Sequence, residues 1–184
     1  ARNRRVRDSI YARRDARVDH AGQLVVAERQ DRRRWHHDEI AEGTALLDAA
    51  LARRSPGRYQ LQAAIAALHD HAPSFDATDF TQIAALYGEL LRFDPSPIVE
   101  LSRAIAVAYA RGWDRGLELV DRLDASGRLA GHHMVAATRG ELLARLDRSA
   151  EAAEAFREAL ALVTAPAERR HIERRLADTV SSLR

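Results

Sequence analysis

The sequence predicts an all-α protein: antiparallel helical hairpins stacked as a tetratricopeptide-like superhelix of about eight helices, with a short extended or hairpin segment near residues 17–26. Three observations lead there. Alanine and leucine dominate, aromatics are only 5% of the chain and prolines number five, a composition that favours helix over sheet. Apolar residues recur at helical spacing in successive stretches bounded by capping or breaking residues. Gly140 to Pro166 then reads as the end of one helix, a tight turn, a second helix and a stop. Gly140 is small enough for two helix backbones to approach, and Ala152, Phe156 and Ala159 set small, large, small along one face. Hairpins of the tetratricopeptide type pack in this way and repeat about every 34 residues. In that frame Phe156 aligns with Asp121 and, one copy earlier, with Tyr87. The middle copy then carries Asp121 and Asp124 in apolar slots, while Gly112 and Leu117 keep its turn and next helix in frame.

Taken in order, residues 1–16 show weak periodicity and many charges, as in a frayed helix or a disordered arm. Asp19 to Gly22 is turn chemistry between short β-prone runs, hence the small hairpin or extended crossing segment over residues 17–26. Asp31 is placed to cap a first helix over residues 32–54, with Ile40, Leu46, Leu47, Ala50 and Leu51 on one face, until Ser55-Pro56-Gly57 breaks it. A second helix over 58–71 presents Tyr59, Leu61, Ile65, Ala66 and Leu68. After a loop with Pro73, Asp76 or Thr78 caps a third over 79–93, with Ile83, Leu86, Tyr87, Leu90 and Leu91 inward. Asp94-Pro95-Ser96-Pro97 is a stop followed by a start, Ser96 capping and Pro97 taking the first helical position. The fourth helix, 97–111, is apolar on most sides, with a polar strip of Glu100, Arg103 and Arg111, which predicts a central place in the stack. Gly112 ends it. Helices over 113–124, 131–146, 149–163 and 166–183 follow. The last has a single stripe, Ile172, Leu176, Val180 and Leu183, as a terminal capping helix requires. The organisation expected is a basic N-terminal arm and connector, residues 1–31, ahead of a helical domain, residues 32–184.

At 184 residues the chain is long enough to bury a sizeable core. It has no cysteine, which excludes disulfides and thiolate metal sites. No apolar run approaches the roughly 18 residues of a membrane span, and no secretory signal is visible, so a cytoplasmic location is expected. All 29 basic residues are arginine against 27 acids, a net charge of +2. Residues 1–34 hold eleven arginines and five acids, so a basic arm precedes a mildly acidic body. Such an arm suits either contact with nucleic acid or an acidic surface, or a solvated connector. Because the chain begins with Ala, it is expected to be a piece of a longer protein.

Three histidine groups invite a metal reading: His36-His37 followed by Asp38-Glu39, His69 with His71, and His132-His133. Ligands on one helix need i, i+3 or i, i+4 spacing to share a face, and none of these groups has it. No Gly-x-Ser-x-Gly elbow, Gly-rich phosphate loop or Gly-x-Gly-x-x-Gly occurs. The carboxylates fall beside arginines on outer helix faces, where they form surface pairs. Neither an enzyme nor a cofactor is expected. The aromatics Trp35 and Tyr59 read either as packing for the first helical pair or as anchors for a partner, since aromatics and arginines are favoured at interface centres. Arg103 reads either as a groove contact or as the partner of Glu100.

Several segments together carry a resemblance: Gln30-Asp31-Arg32-Arg33-Arg34-Trp35; Gly57-Arg58-Tyr59-Gln60-Leu61-Gln62-Ala63-Ala64-Ile65-Ala66-Ala67 with His69; Gln82-Ile83 with Leu86-Tyr87; Ser96-Pro97-Ile98-Val99 with Leu101, Arg103 and Ala104; and Glu168-Arg169-Arg170. The chain resembles, over about residues 14–180, the tetratricopeptide-like C-terminal extension of bacterial extracytoplasmic-function (ECF) RNA polymerase sigma factors. It departs from that pattern at Phe80, where Trp is usual, at Ser102, where Asn is favoured, at His132, where Tyr is usual, and over residues 1–13, where the family runs an apolar helix. The resemblance implies a regulatory protein-binding module that modulates transcription initiation by contacting the sigma core, RNA polymerase or an effector protein. Trp35, Tyr59, Gln62 and Arg103 are the candidate contacts. No helix-turn-helix with a basic recognition helix is evident in residues 32–183, so specific DNA binding by this piece alone is not expected. Two other classes fit less of the sequence: a free-standing tetratricopeptide adaptor that binds a peptide, and a helical domain that senses a small molecule or metal through its histidines.

Overall fold

A computed structural model describes residues 12–52 and 57–182, and in them the chain is all-α. Eight α-helices occur among the described residues: α1 (His37–Leu51), α2 (Arg58–His71), α3 (Phe80–Leu90), α4 (Pro97–Arg111), α5 (Trp113–Ala125), α6 (His133–Arg145), α7 (Ser149–Leu162) and α8 (Pro166–Ser181). The chain divides into two compact units, Ala1–Pro95 and Ser96–Arg184.

In the first unit α2 packs on α1 and α3. Ahead of α1 runs an irregular connector with three short 3-10 turns, Arg14–Ala16, Ala27–Arg29 and Arg32–Arg34. The expected segment over residues 17–26 is a loop closed by one antiparallel bridge, Val18 to Leu24. Asp19 holds it, its carboxylate accepting from the backbone N–H groups of Ala21 and Gln23 at 2.9 and 2.8 Å. Two expectations need correction here. The helix expected from residue 32 begins at His37. Asp31 does act as a cap, accepting from the Arg33 N–H, but it caps a 3-10 turn that ends in extended backbone at Trp35. The cap of α3 is Asp79, which accepts from the Gln82 N–H at 2.9 Å, rather than Asp76 or Thr78. The break proposed at Ser55-Pro56, most of the arm over residues 1–16, and Leu183 lie outside the described residues.

The second unit is a regular run of hairpins. α5 packs on α4, α6 on α5, α7 on α6 and α8 on α7. Ser96 caps α4 by accepting from the Ile98 N–H, and Pro97 opens it. Gly112 ends α4 and starts α5 with φ 107° and ψ 150°, a backbone conformation open in practice only to glycine. Phe156 is 1% exposed at the centre of a core that gathers Leu101, Leu117, Val120, Leu123, Leu143 and Ile172.

The packing corrects the repeat frame. Asp121 and Asp124 are exposed, and Asp121 pairs with Arg139 on α6 at 2.8 Å. The residues that repeat the Ala152, Phe156, Ala159 pattern are Gly116, Val120 and Leu123, all buried and each 36 positions earlier. The expected frame set Asp121 against Phe156, one position past Val120, and one residue turns the helix face by about 100°.

Both copies keep a small residue where two backbones meet. A Cβ on Gly116 would stand 2.4 Å from Ala108 Cβ and 3.0 Å from Ala108 Cα. A Cβ on Gly140 would meet the Phe156 ring at 2.8 Å. Overpacking of this kind costs about 1–3 kcal/mol, against a helix-propensity gain of about 1 kcal/mol for Gly→Ala. In chemical denaturation Gly116→Ala is therefore expected to destabilise the second unit by about 1–2 kcal/mol, because the obstacle includes backbone. Gly140→Ala should cost less, since an aromatic ring can tilt, and Phe156→Leu added to it should recover part of the loss. Equal or stabilising effects of both substitutions would contradict the close approach.

Candidate functional site

The first unit carries a buried polar cluster where the connector meets the C-terminal end of α2. Asp70 explains its location. With Ala63 and Ala66 it falls on one helical stripe, at i, i+3 and i+7, and both alanines are buried, so the helix that buries them carries a carboxylate inward. The Asp70 side chain is only 2% exposed. Arg13 Nε lies 3.4 Å from Asp70 Oδ1, close enough for an ion pair, but the two atoms are not aligned for a hydrogen bond. Desolvation pushes the Asp70 carboxyl up and the Arg13 guanidinium down. Each charge is thus held against a burial cost that the other offsets only in part.

Arg32 is the second basic partner. Its Nη1 donates to the carbonyls of His69 and Ala72 at 2.9 and 2.7 Å, so it caps the C-terminal end of α2, where carbonyls lack helical partners and a positive charge is favoured. Between the two arginines lies Trp35. The Arg32 guanidinium is 4.4 Å and that of Arg13 5.6 Å from its ring centroid, distances at which cation–π attraction operates. His69 completes the group, edge-on to Phe80 with centroids 5.7 Å apart. Burial first, then the charges of Arg13 and Arg32, hold its imidazole down at about 4. What the arrangement does chemically is hold charge: two guanidiniums, one carboxylate and a neutral imidazole clasp the connector to the helix.

The expected contact residues fall in both units. Trp35 is 5% exposed and packs with Ala12, Ala16 and Ile40, which is the packing alternative for this ring, not an outward anchor. Tyr59 and Gln62 are half-buried on α2. Arg58 lies over the Tyr59 ring and donates to its hydroxyl at 2.7 Å. Arg103 belongs to the other unit. It is half-buried, and its Nε is enclosed without a hydrogen-bond partner. The expected Glu100 pairing goes instead to Arg128, at 2.6 Å.

The three successive arginines at 32–34 do not form a basic comb. In a 3-10 turn successive side chains point about 120° apart. Arg32 turns inward, Arg33 folds back on Asp31, and Arg34 reaches the Val18 carbonyl. The histidines have separate neighbours: His36 meets Asp15 at 2.7 Å, His71 meets the Thr44 hydroxyl at 2.9 Å, and His133 meets Glu168 at 3.1 Å. Among the described residues no three His, Asp or Glu side chains converge as a metal site, and no helix is long and apolar enough to cross a membrane.

Sequence reasoning singled out Trp35 but missed Arg13 and Asp70. The available signal for Asp70 was an acid on an apolar stripe. Arg13 gave none, because its partner is 57 residues away.

A model described as a family of unknown function (DUF6596) matches residues 9–51. An uncharacterized protein of Rhizobium meliloti (strain 1021) is 43% identical over 166 residues, which cover 90% of this chain and 39% of that protein. The chain therefore spans well under half the length of the curated relative it matches. No solved structure matches the chain significantly.

The His69 environment sets a pH dependence. Below about 6.5 the unfolded imidazole takes up a proton that the folded one refuses until about 4. Stability contributed by neutral His69 is thus complete above 6.5 and falls across that window, by up to about 3 kcal/mol less solvent screening. Asp70, with its carboxyl pushed up, works in the opposite sense at the acid end, so the informative quantity is a difference between proteins. In denaturant melts from pH 7 to 4, the first unit should lose less stability in His69→Gln than in the unsubstituted protein. Parallel curves would refute the buried neutral imidazole.

Proposed function

We propose that this chain is a regulatory, protein-binding extension of an ECF RNA polymerase sigma factor, acting in the cytoplasm by docking on the sigma core, on RNA polymerase or on an effector protein, and not by catalysis. The observation that carries the reading is a convergence. Two segments of the resemblance that are well apart in sequence, Gln30 to Trp35 and Gly57 to His69, meet at one place: Arg32 donates to the His69 carbonyl and stacks on Trp35. A chance likeness has no reason to select residues that touch. The tetratricopeptide-like hairpins of the second unit support the same reading, because stacked helical repeats present extended binding surfaces. So does the relative, of which the match covers 39%, as expected where such a module is one part of a larger protein.

In this reading Tyr59, Gln62 and Arg103 keep accessible surface for a partner, whereas Trp35 is buried within the first unit. Arg103 is half-buried on α4 with its Nε enclosed, so a partner's acceptor would engage the rest of its guanidinium.

The test uses the open reading frame that encodes this chain. It should also encode sigma regions 2 and 4, and the protein they form, or core polymerase, should bind the chain in calorimetry. Arg103→Ala is expected to weaken that binding about 10-fold or more while leaving the melting temperature of the chain within about 2 °C. A reading frame without sigma regions, or no binding to either target, would reject the proposal and favour a free-standing adaptor.

A further inference from the structure

The connector, residues 12–36, is fastened to α1 and α2 through arginine side chains. Its own hydrogen bonds are mostly internal: Val25 N–H to the Arg17 carbonyl at 2.9 Å, Asp19 N–H to the Gln23 carbonyl at 3.0 Å, His36 N–H to the Ala12 carbonyl at 2.9 Å, and the Gln30 amide to the Val25 carbonyl at 3.2 Å. It therefore keeps its own shape. Its polar fastenings to the helices run through side chains: Arg13 to Asp70, Arg32 to the end of α2, and Arg14 to both carboxylate oxygens of Glu39 at 2.6 and 2.7 Å. Its buried apolar contribution is small, Ala12, Ala16 and Trp35, while Val18 and Val26 are about two-fifths exposed.

Buried polar atoms without a hydrogen-bond partner gather here as well. Of the five among the described residues, Arg13 Nε, Gln30 Oε1, Trp35 Nε1 and Asp70 Oδ1 belong to the connector or to the face it covers. Each such atom has given up water without a full replacement, which weakens the closed state relative to an open one. A segment with little apolar burial and orphaned polar atoms lies at the low-stability end of a structure, where local opening precedes global unfolding.

We propose that residues 12–36 form a strap that docks reversibly on α1 and α2, fastened by Arg13 and Arg32 around Trp35, and that it opens as a unit while the helices stay folded. Opening turns at His36, between the extended backbone of Trp35 and the start of α1 at His37. It frees Arg13, Arg14 and Arg32 for an acidic partner and exposes the carboxylates of Glu39 and Asp70. The strap does not depend on the sigma-factor reading. Within that reading it is the joint through which a partner would alter the module.

The experiment needs no partner. The chain has two tryptophans, Trp35 and Trp113, so Trp113→Phe makes Trp35 the sole reporter. In that background Asp70→Asn is expected to red-shift the emission, to raise acrylamide quenching several-fold and to speed tryptic cleavage within residues 13–34 about 10-fold or more, while far-UV helicity is retained. Loss of helicity together with Trp35 exposure would overturn the proposal, because connector and helices would then be one cooperative unit. Unchanged shielding and cleavage would overturn it too. Hydrogen exchange on the unsubstituted chain gives an independent reading: the amides of Val25 and His36 should exchange about 100-fold faster than those of Leu61 and Ile65. Equal protection would count against the strap.

Discussion

The second unit depends on one steric constraint: where two helices cross, one of them must present a residue with little or no side chain. Gly140 leaves the space that the Phe156 ring occupies, and Gly116 lets α5 rest on the backbone of α4 at Ala108. With those approaches fixed, the larger side chains have defined places, and Leu101, Val120, Leu143 and Ile172 close a continuous core at the density that makes a single methyl group matter. Charged groups then cover the seams. Arg175 on α8 grips the Glu141 carboxylate with two hydrogen bonds, at 2.7 and 2.8 Å, with its guanidinium 5.8 Å from the Phe156 centroid. Arg169 closes the open carbonyls of Leu160 and Val163 at the end of α7. Shape decides this half, and charge finishes it.

The first unit inverts that order around its connector. Ion pairing, cation–π stacking and carbonyl capping fasten residues 12–36, and apolar burial is the minor term. Apolar packing is indifferent to orientation and robust, whereas a desolvated ion pair is specific in geometry and barely favourable in net energy. A segment fastened chiefly by the second kind of interaction can be displaced by competing charge. That makes the Arg13, Arg32, Trp35, His69 and Asp70 cluster a more promising place for regulation than for catalysis.

The proposed sigma-factor role draws on the same geometry. A resemblance resting on separate strings of residues gains weight when those strings form one structural feature, and Arg32, Trp35 and His69 do so here. Tyr59 and Gln62 lie on the same helix as His69 and Asp70, so a partner that engages α2 would also bear on the segment clasping its end. Arg103 belongs to α4 of the second unit.

The sequence alone determined what local chemistry determines. Helix count and most helix ends were legible because Ser96, Pro97, Gly112 and the apolar spacing act within a turn or two of where they stand. The Gly140, Ala152 and Phe156 hairpin was legible for the same reason. Tertiary structure decided what depends on distant partners. The 36-residue offset of the second copy, the exchange of Glu100 from Arg103 to Arg128, and the late start of α1 all follow from packing that spacing does not encode. Trp35 was visible as an aromatic beside arginines, but its burial required Arg13 and Ala12 to fold back over it. Asp70 became part of a site only when an arginine 57 residues earlier came within ion-pair range, since a charge has a function only together with whatever the fold sets beside it.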